Sequence, residues 1–178
     1  EGVWLYDVEG NRYLDCISSM WCNLYGHRHP KIDATIRDQL DQVAHATSLG
    51  MATVPTIQLA KRLAELAPGD LNHVFFGSDG SSAVEAAIKI AFQYWQQCET
   101  PQPKKKRFIA LGEAYHGDTL GSASVGGIDR FNAMFQPLLF DVLRLPIPDR
   151  EKLPAGADAS HYLADLERVL SAEHENIA

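Results

Sequence analysis

Two short stretches carry residue types suited to gripping an anionic, planar ligand. The first is Gly77-Ser78-Asp79-Gly80-Ser81-Ser82, small residues lying between the apolar run 73–76 and a helical pattern. Where a strand feeds a helix through small residues, backbone N–H groups point outward at the positive pole of the helix dipole, and a phosphate fits there. The second is Gly112-Glu113-Ala114-Tyr115-His116-Gly117-Asp118-Thr119, in which Tyr115 can lie flat on a planar ring. Plainer alternatives stay open for both. The first would be a strand-to-helix turn whose glycines serve geometry only, and the second a loop in which Tyr115 and His116 pack and cap.

The elements that must position these stretches follow from periodicity. Residues 73–76 read as a short strand. From Ser82 the period becomes helical: Val84, Ile88, Ala91, Phe92 and Trp95 share a face, and Glu85 and Lys89 form an i,i+4 pair on another. A second strand is expected at 107–111 and a third at 141–145. Strand, helix and strand in this order suggest a right-handed βαβ unit in a parallel sheet. Ligands of such sheets sit beyond the carboxyl ends of the strands, so both stretches would face one crevice. The small-residue run 120–127 predicts a short helix close to the sheet, and Ser160 opens a last helix.

Upstream, residues 3–8 and 12–16 alternate around Glu9-Gly10-Asn11, a hairpin signal. Residues 17–30 lack a period and hold bulky apolar side chains, as a loop tucked under a core or lining a pocket would. Pro30 and Pro55 each start a helix, with Ile32, Ile36, Leu40 and Val43 inward on one and Ile57, Leu59, Ala60, Leu63 and Leu66 inward on the other. His27 and His29 have no partner at metal spacing and are expected to be hydrogen-bonded within their own loop, and no metal site is expected.

Composition bounds the function. With 178 residues, 46% of them hydrophobic, the chain can bury a core, and its net charge of −7 argues against nucleic acid or an anionic membrane as partner. No apolar run is long enough to span a bilayer. Cys16, Cys22 and Cys98 form no CxxC, consistent with reduced thiols in the cytoplasm. The chain starts almost directly in a strand pattern and stops where another could begin, so a fragment of a longer protein is expected.

Asp79-Gly80-Ser81-Ser82-Ala83-Val84-Glu85-Ala86-Ala87-Ile88-Lys89, then Tyr115-His116-Gly117-Asp118-Thr119, with Met20-Trp21-Cys22-Asn23 and Gly26-His27 upstream, together resemble the class III, pyridoxal-phosphate-dependent aminotransferases. The resemblance covers nearly the whole chain. It implies an α/β fold: a partial fold-type-I transferase, with a mostly parallel sheet flanked by helices and an N-terminal β-hairpin. Residues 1–50 would be a small-domain segment and 51–178 the first part of the large cofactor-binding domain. Gly80 and Ser81 would hold the phosphate of pyridoxal 5′-phosphate, Tyr115 would stack on its ring and His116 would sit beside it. Met20 and Trp21 would line the substrate channel.

Ala83-Val84-Glu85 with Phe92-Gln93-Tyr94-Trp95 is most similar to the branch that aminates 7-keto-8-aminopelargonate in biotin synthesis. The ω-amino acid:pyruvate branch is the nearest competitor, and a non-catalytic phosphate-binding module is the rival of another class. Small-molecule amino donors and keto acceptors, and a homodimer, are implied by the same resemblance. Asp79 stands where the family often has Ser, and its carboxylate is expected to point away from the phosphate or cap the helix. None of Lys31, Lys61, Lys89, Lys104, Lys105, Lys106 or Lys152 matches the family's Schiff-base lysine segment. Lys89 is better explained by its pairing with Glu85. No catalytic residue is therefore expected in this chain, which would be inactive alone.

Overall fold

The computed structural model describes residues 1–158 and 160–178. The chain forms two units, Glu1–Val74 and Phe75–Ala178.

In the first unit, β1 (Trp4–Tyr6) and β2 (Arg12–Leu14) pair antiparallel, with Trp4 opposite Leu14 and Tyr6 opposite Arg12. Asp7 organises the turn between them. Its Oδ1 accepts the N–H groups of Glu9 (3.0 Å) and Asn11 (2.8 Å), and Gly10 takes φ +88°. A short segment, α1 (Ser18–Trp21), winds left-handed, with φ of +49°, +49°, +59° and +72° along its four residues. Next come α2 (Pro30–Gln42) and α3 (Val54–Leu66), each with proline in its first turn. Their expected inward faces are not buried: Ile36 is 55%, Leu40 58% and Ile57 56% exposed. An apolar stripe predicts a helix and its apolar side; burial also needs an opposing surface.

In the second unit, α4 (Gly80–Gln97) is followed by β3 (Phe108–Leu111), α5 (Leu120–Val125), α6 (Asp129–Asn132), a 3-10 turn (Ala133–Leu138), β4 (Val142–Leu145) and α7 (Ser160–Glu173). β3 and β4 pair in parallel, from Phe108 opposite Val142 to Leu111 opposite Leu145. The parallel pair thus joins the second and third expected strands. The run 73–76 is not a strand, and Phe75 is 69% exposed. A strand exists only with a ladder partner, and none of the described residues pairs with this run.

The buried centre is Ala110, Ala123, Val125 and Leu145 with the enclosed hydroxyls of Ser122 and Ser124. Ser124 Oγ donates to the Leu120 carbonyl (2.6 Å) and accepts from the Phe140 N–H (3.1 Å). Small residues let α5 lie close to β3, as the sequence suggests. The helix is then stitched back by Gly127 N–H to the Ala114 carbonyl (2.7 Å). The architecture is α/β, with a short antiparallel hairpin and a parallel pair flanked by helices.

Candidate active site

Asp79 caps α4. Its backbone is extended, its Oδ1 accepts the Ser82 N–H at 2.7 Å and its carbonyl accepts the Ala83 N–H at 3.0 Å. The Ser82 hydrogen bonds hold the Asp79 carboxyl below its ordinary 3.8. Capping is one of the two dispositions the sequence allowed it. The Ser81 N–H also contributes to lowering the Asp79 carboxyl, and the N–H groups of Gly80 and Ser81 complete the first turn. A Cβ placed on Gly80 would meet no atom within 4 Å, so the approach to this end of the helix is open.

The Tyr115 loop lies against the same turn. Gly117 takes φ +123°, and a Cβ there would run into the Ser81 side chain, coming within 2.8 Å of Ser81 Cβ. Ser122 Oγ donates to the Ser81 carbonyl (3.2 Å) and shares a hydrogen bond with Thr119 Oγ1 (2.7 Å). Glu85, one turn into α4, accepts the Gly121 N–H at 2.7 Å. The Thr119 hydroxyl, first among its partners, and then the Gly121 and Ser122 N–H groups lower the Glu85 carboxyl below its ordinary 4.5. The expected Glu85–Lys89 pairing is corrected here: the carboxylate is engaged by α5, and Lys89 exerts only the last of the influences on it. A backbone N–H in reach outcompetes a solvated ammonium on the same helix.

The Tyr115 hydroxyl donates to Asp118 Oδ2 at 2.7 Å, which raises the phenol above its ordinary 10.0. Its ring meets Phe131 edge to face, with centroids 6.2 Å apart. Tyr115 and His116 are both exposed. The second unit therefore brings Gly80 and Ser81 together with the loop that carries Tyr115 and His116.

Met20 and Trp21 belong to the first unit, where they stand 61% and 77% exposed on the left-handed turn. Asp15 holds that turn: its Oδ1 accepts the Ser19 N–H (2.9 Å) and its Oδ2 the Ser19 hydroxyl (2.8 Å). His27 Nε2 lies 2.7 Å from Asp15 Oδ2, a partner before the 17–30 loop, and His29 Nδ1 is enclosed with no hydrogen-bond partner among the described residues, so the expectation that both histidines bond within their own loop is corrected. The Ser19 N–H, the Ser19 hydroxyl and then His27 bring the Asp15 carboxyl down to about 2. The sequence reading missed Asp15 and gave Glu85 the wrong partner. Asp15 had a faint signal, an aspartate shortly before paired serines. Glu85 had none, since its partner is 36 residues away.

Comparison with known proteins converges. The family described as Aminotransferase class-III matches residues 1–178. The adenosylmethionine-8-amino-7-oxononanoate aminotransferase of Nitratidesulfovibrio vulgaris is 52% identical over 155 residues, 87% of this chain and 29% of that protein. The crystal structure of the enzyme of that name from Methanocaldococcus jannaschii superposes with a TM-score of 0.85 at 39% identity, over 99% of this chain and 38% of that one. An amine transaminase from an uncultivated Pseudomonas species, in its PLP-bound form, gives 0.84 at 31% identity, over 100% of this chain and 41% of that one. The chain thus spans between 29% and 41% of the length of these three proteins.

Proposed function

The chain belongs to the class III aminotransferases, and from that premise we propose that it is the N-terminal part of an enzyme that aminates 7-keto-8-aminopelargonate to 7,8-diaminopelargonate in biotin synthesis. The relatives named for that reaction support the substrate. One structural observation carries the cofactor assignment: the contact of Gly117 with Ser81, which holds the aromatic loop against an open helix N-terminus.

The residues fit pyridoxal 5′-phosphate. Gly80 and Ser81 would offer backbone N–H groups and a hydroxyl to the phosphate, at the positive end of α4. Tyr115, its hydroxyl tethered to Asp118, presents a flat face to the ring, and His116 stands next to it in the chain. Asp79 keeps its charge on the Ser82 N–H, which limits its repulsion of the phosphate. Met20 and Trp21 line the substrate channel. When bound, the cofactor serves as the electron sink for the broken Cα–H bond. The lysine that carries it lies outside this chain, so residues 1–178 alone would bind but not turn over. Residues 1–50 belong to the small domain and 51–178 to the first part of the large one. We extend the proposal to a homodimer in the cytoplasm, the compartment suggested by three free cysteines.

A second reading, transfer from ω-amines or ω-amino acids to pyruvate, is favoured by the likeness to the amine transaminase. The test is to titrate the full-length enzyme with pyridoxal phosphate and then screen donors and acceptors. The expected result is a yellow chromophore and turnover of 7-keto-8-aminopelargonate. Absence of the chromophore sinks the proposal. Strong turnover of β-alanine or aryl amines with pyruvate, and none with the keto-aminopelargonate, moves the assignment to the second reading.

A further inference from the structure

We propose that Asp15, backed by His27, is a positioning residue: it holds Ser18–Trp21 in a left-handed turn and so sets where Met20 and Trp21 meet the substrate. The second half of this statement rests on the reading above that these two side chains line the channel.

The backbone is the starting point. Ser18, Ser19, Met20 and Trp21 have φ of +49°, +49°, +59° and +72°, and none is glycine. L-residues enter this region singly in ordinary turns; a consecutive run is uphill at every position, because each Cβ crowds the following carbonyl. Such a run persists only where its surroundings over-determine it. Part of the restraint is internal. The Trp21 N–H donates to the Ile17 carbonyl (2.9 Å), and the Cys22 and Asn23 N–H groups both donate to the Ser18 carbonyl (3.0 Å each).

The rest comes from Asp15, which binds Ser19 through both backbone and side chain. Asp15 is itself fixed. Its side chain is 6% exposed, its N–H donates to the Val3 carbonyl at 2.9 Å, and His27 meets its outer oxygen. His27 in turn exchanges two backbone hydrogen bonds with Gly2, at 3.0 and 2.7 Å. Gly26 makes that approach possible: at φ +81°, a Cβ there would sit 2.9 Å from the Gly2 carbonyl oxygen. A line of restraint therefore runs from the hairpin through His27 and Asp15 to Ser19. At its end, two large apolar side chains are held outward on a strained backbone. That arrangement suits a binding surface and is a poor use of Met and Trp otherwise.

The test uses the full-length enzyme with cofactor and compares Asp15→Ala, Ser19→Gly and the double variant. In Asp15→Ala, amide exchange in residues 18–23 should quicken about tenfold or more, while exchange in α3 stays unchanged. KM for the keto acceptor should rise about tenfold, with cofactor affinity within about twofold of the parent. Ser19→Gly in the Asp15→Ala background should pull both readouts back, because glycine adopts positive φ without a Cβ penalty. A merely structural role for Asp15 would not be rescued by a glycine. Should Asp15→Ala fail to fold, Asp15→Asn carries the test: its one carbonyl still accepts the Ser19 N–H, so the same changes should appear at about a third of the size.

Unchanged exchange in residues 18–23 overturns the clamp. Faster exchange with an unchanged KM overturns the setting of Met20 and Trp21 against substrate. Failure of the underlying functional reading looks different, since the parent enzyme would then gain no cofactor chromophore at all.

Discussion

The two units hold their candidate site residues in place by opposite means. In Glu1–Val74, the Met20-Trp21 turn is fixed by neighbours in sequence: Asp15 reaches Ser19 across four positions and His27 across twelve. In Phe75–Ala178, the Ser81 turn and the Tyr115 loop are fixed across the chain, by Glu85 to Gly121 over 36 residues and Ser122 to Ser81 over 41. No whole residue of the first unit is buried, though the Asp15 side chain is nearly so, whereas the second encloses Ser122 and Ser124. The lesson is that local polar bonds can impose a strained backbone with little core. Bringing two distant loops together instead needs small residues packed closely.

The largest expected effect tests the packed side. Gly117→Ala adds a Cβ at φ +123° into the Ser81 side chain, a position with both backbone strain and overlap. It should destabilise the second unit by about 3 kcal/mol or more, read by thermal melting, and abolish cofactor uptake in the full-length enzyme. Gly80→Ala is the paired control, because an added Cβ there meets nothing within 4 Å. It should leave stability within about 1 kcal/mol, on the stabilising side if anything, yet weaken cofactor affinity about tenfold or more by narrowing the phosphate approach. If the two variants behave alike, Gly80 and Gly117 do not divide the work of approach and packing as the geometry indicates.

A smaller effect is expected at Glu85. Glu85→Ala leaves the buried Gly121 N–H without its acceptor and should cost about 1 kcal/mol or more, with faster amide exchange at the start of α5. Lys89→Ala should change stability by less than about 0.5 kcal/mol, since Lys89 exerts only the last of the influences on the Glu85 carboxyl. A Lys89→Ala effect as large as that of Glu85→Ala would restore the i,i+4 pairing read from the sequence.

That pairing marks the limit of what the sequence made legible. The hairpin, the start of α4, the short α5 and the Asp79 cap are each set by a few adjacent residues: turn formers, a capping carboxylate, small side chains. Each was readable for that reason. Glu85 was misread because an i,i+4 rule knows nothing of an N–H arriving from residue 121. Residues 73–76 were misread because strand composition is not a strand until a second strand is paired with it. Asp15 is the instructive exception, a local restraint that went unread. Its signal lies in a left-handed run that few non-glycine sequences adopt, so no periodicity announces it.

The smallest expected effect concerns acid. The Asp15 carboxyl sits at about 2, against an ordinary 3.8, with the Ser19 N–H as first cause. A depressed carboxyl stabilises the folded form at every pH above its unfolded value and loses that contribution as pH falls through the folded one. The Asp15 contribution to the clamp should therefore be lost as pH falls from about 4 to about 2. Carboxyl carbon NMR of the chain should give Asp15 a midpoint near 2, and Ser19→Ala, which removes one of its donors, should raise that midpoint. A midpoint at 3.8 would mean that the Ser19 and His27 bonds contribute nothing in solution. The left-handed turn would then have to stand on the Ile17 and Ser18 carbonyls alone, and the contrast between a locally clamped first unit and a packed second one would fail.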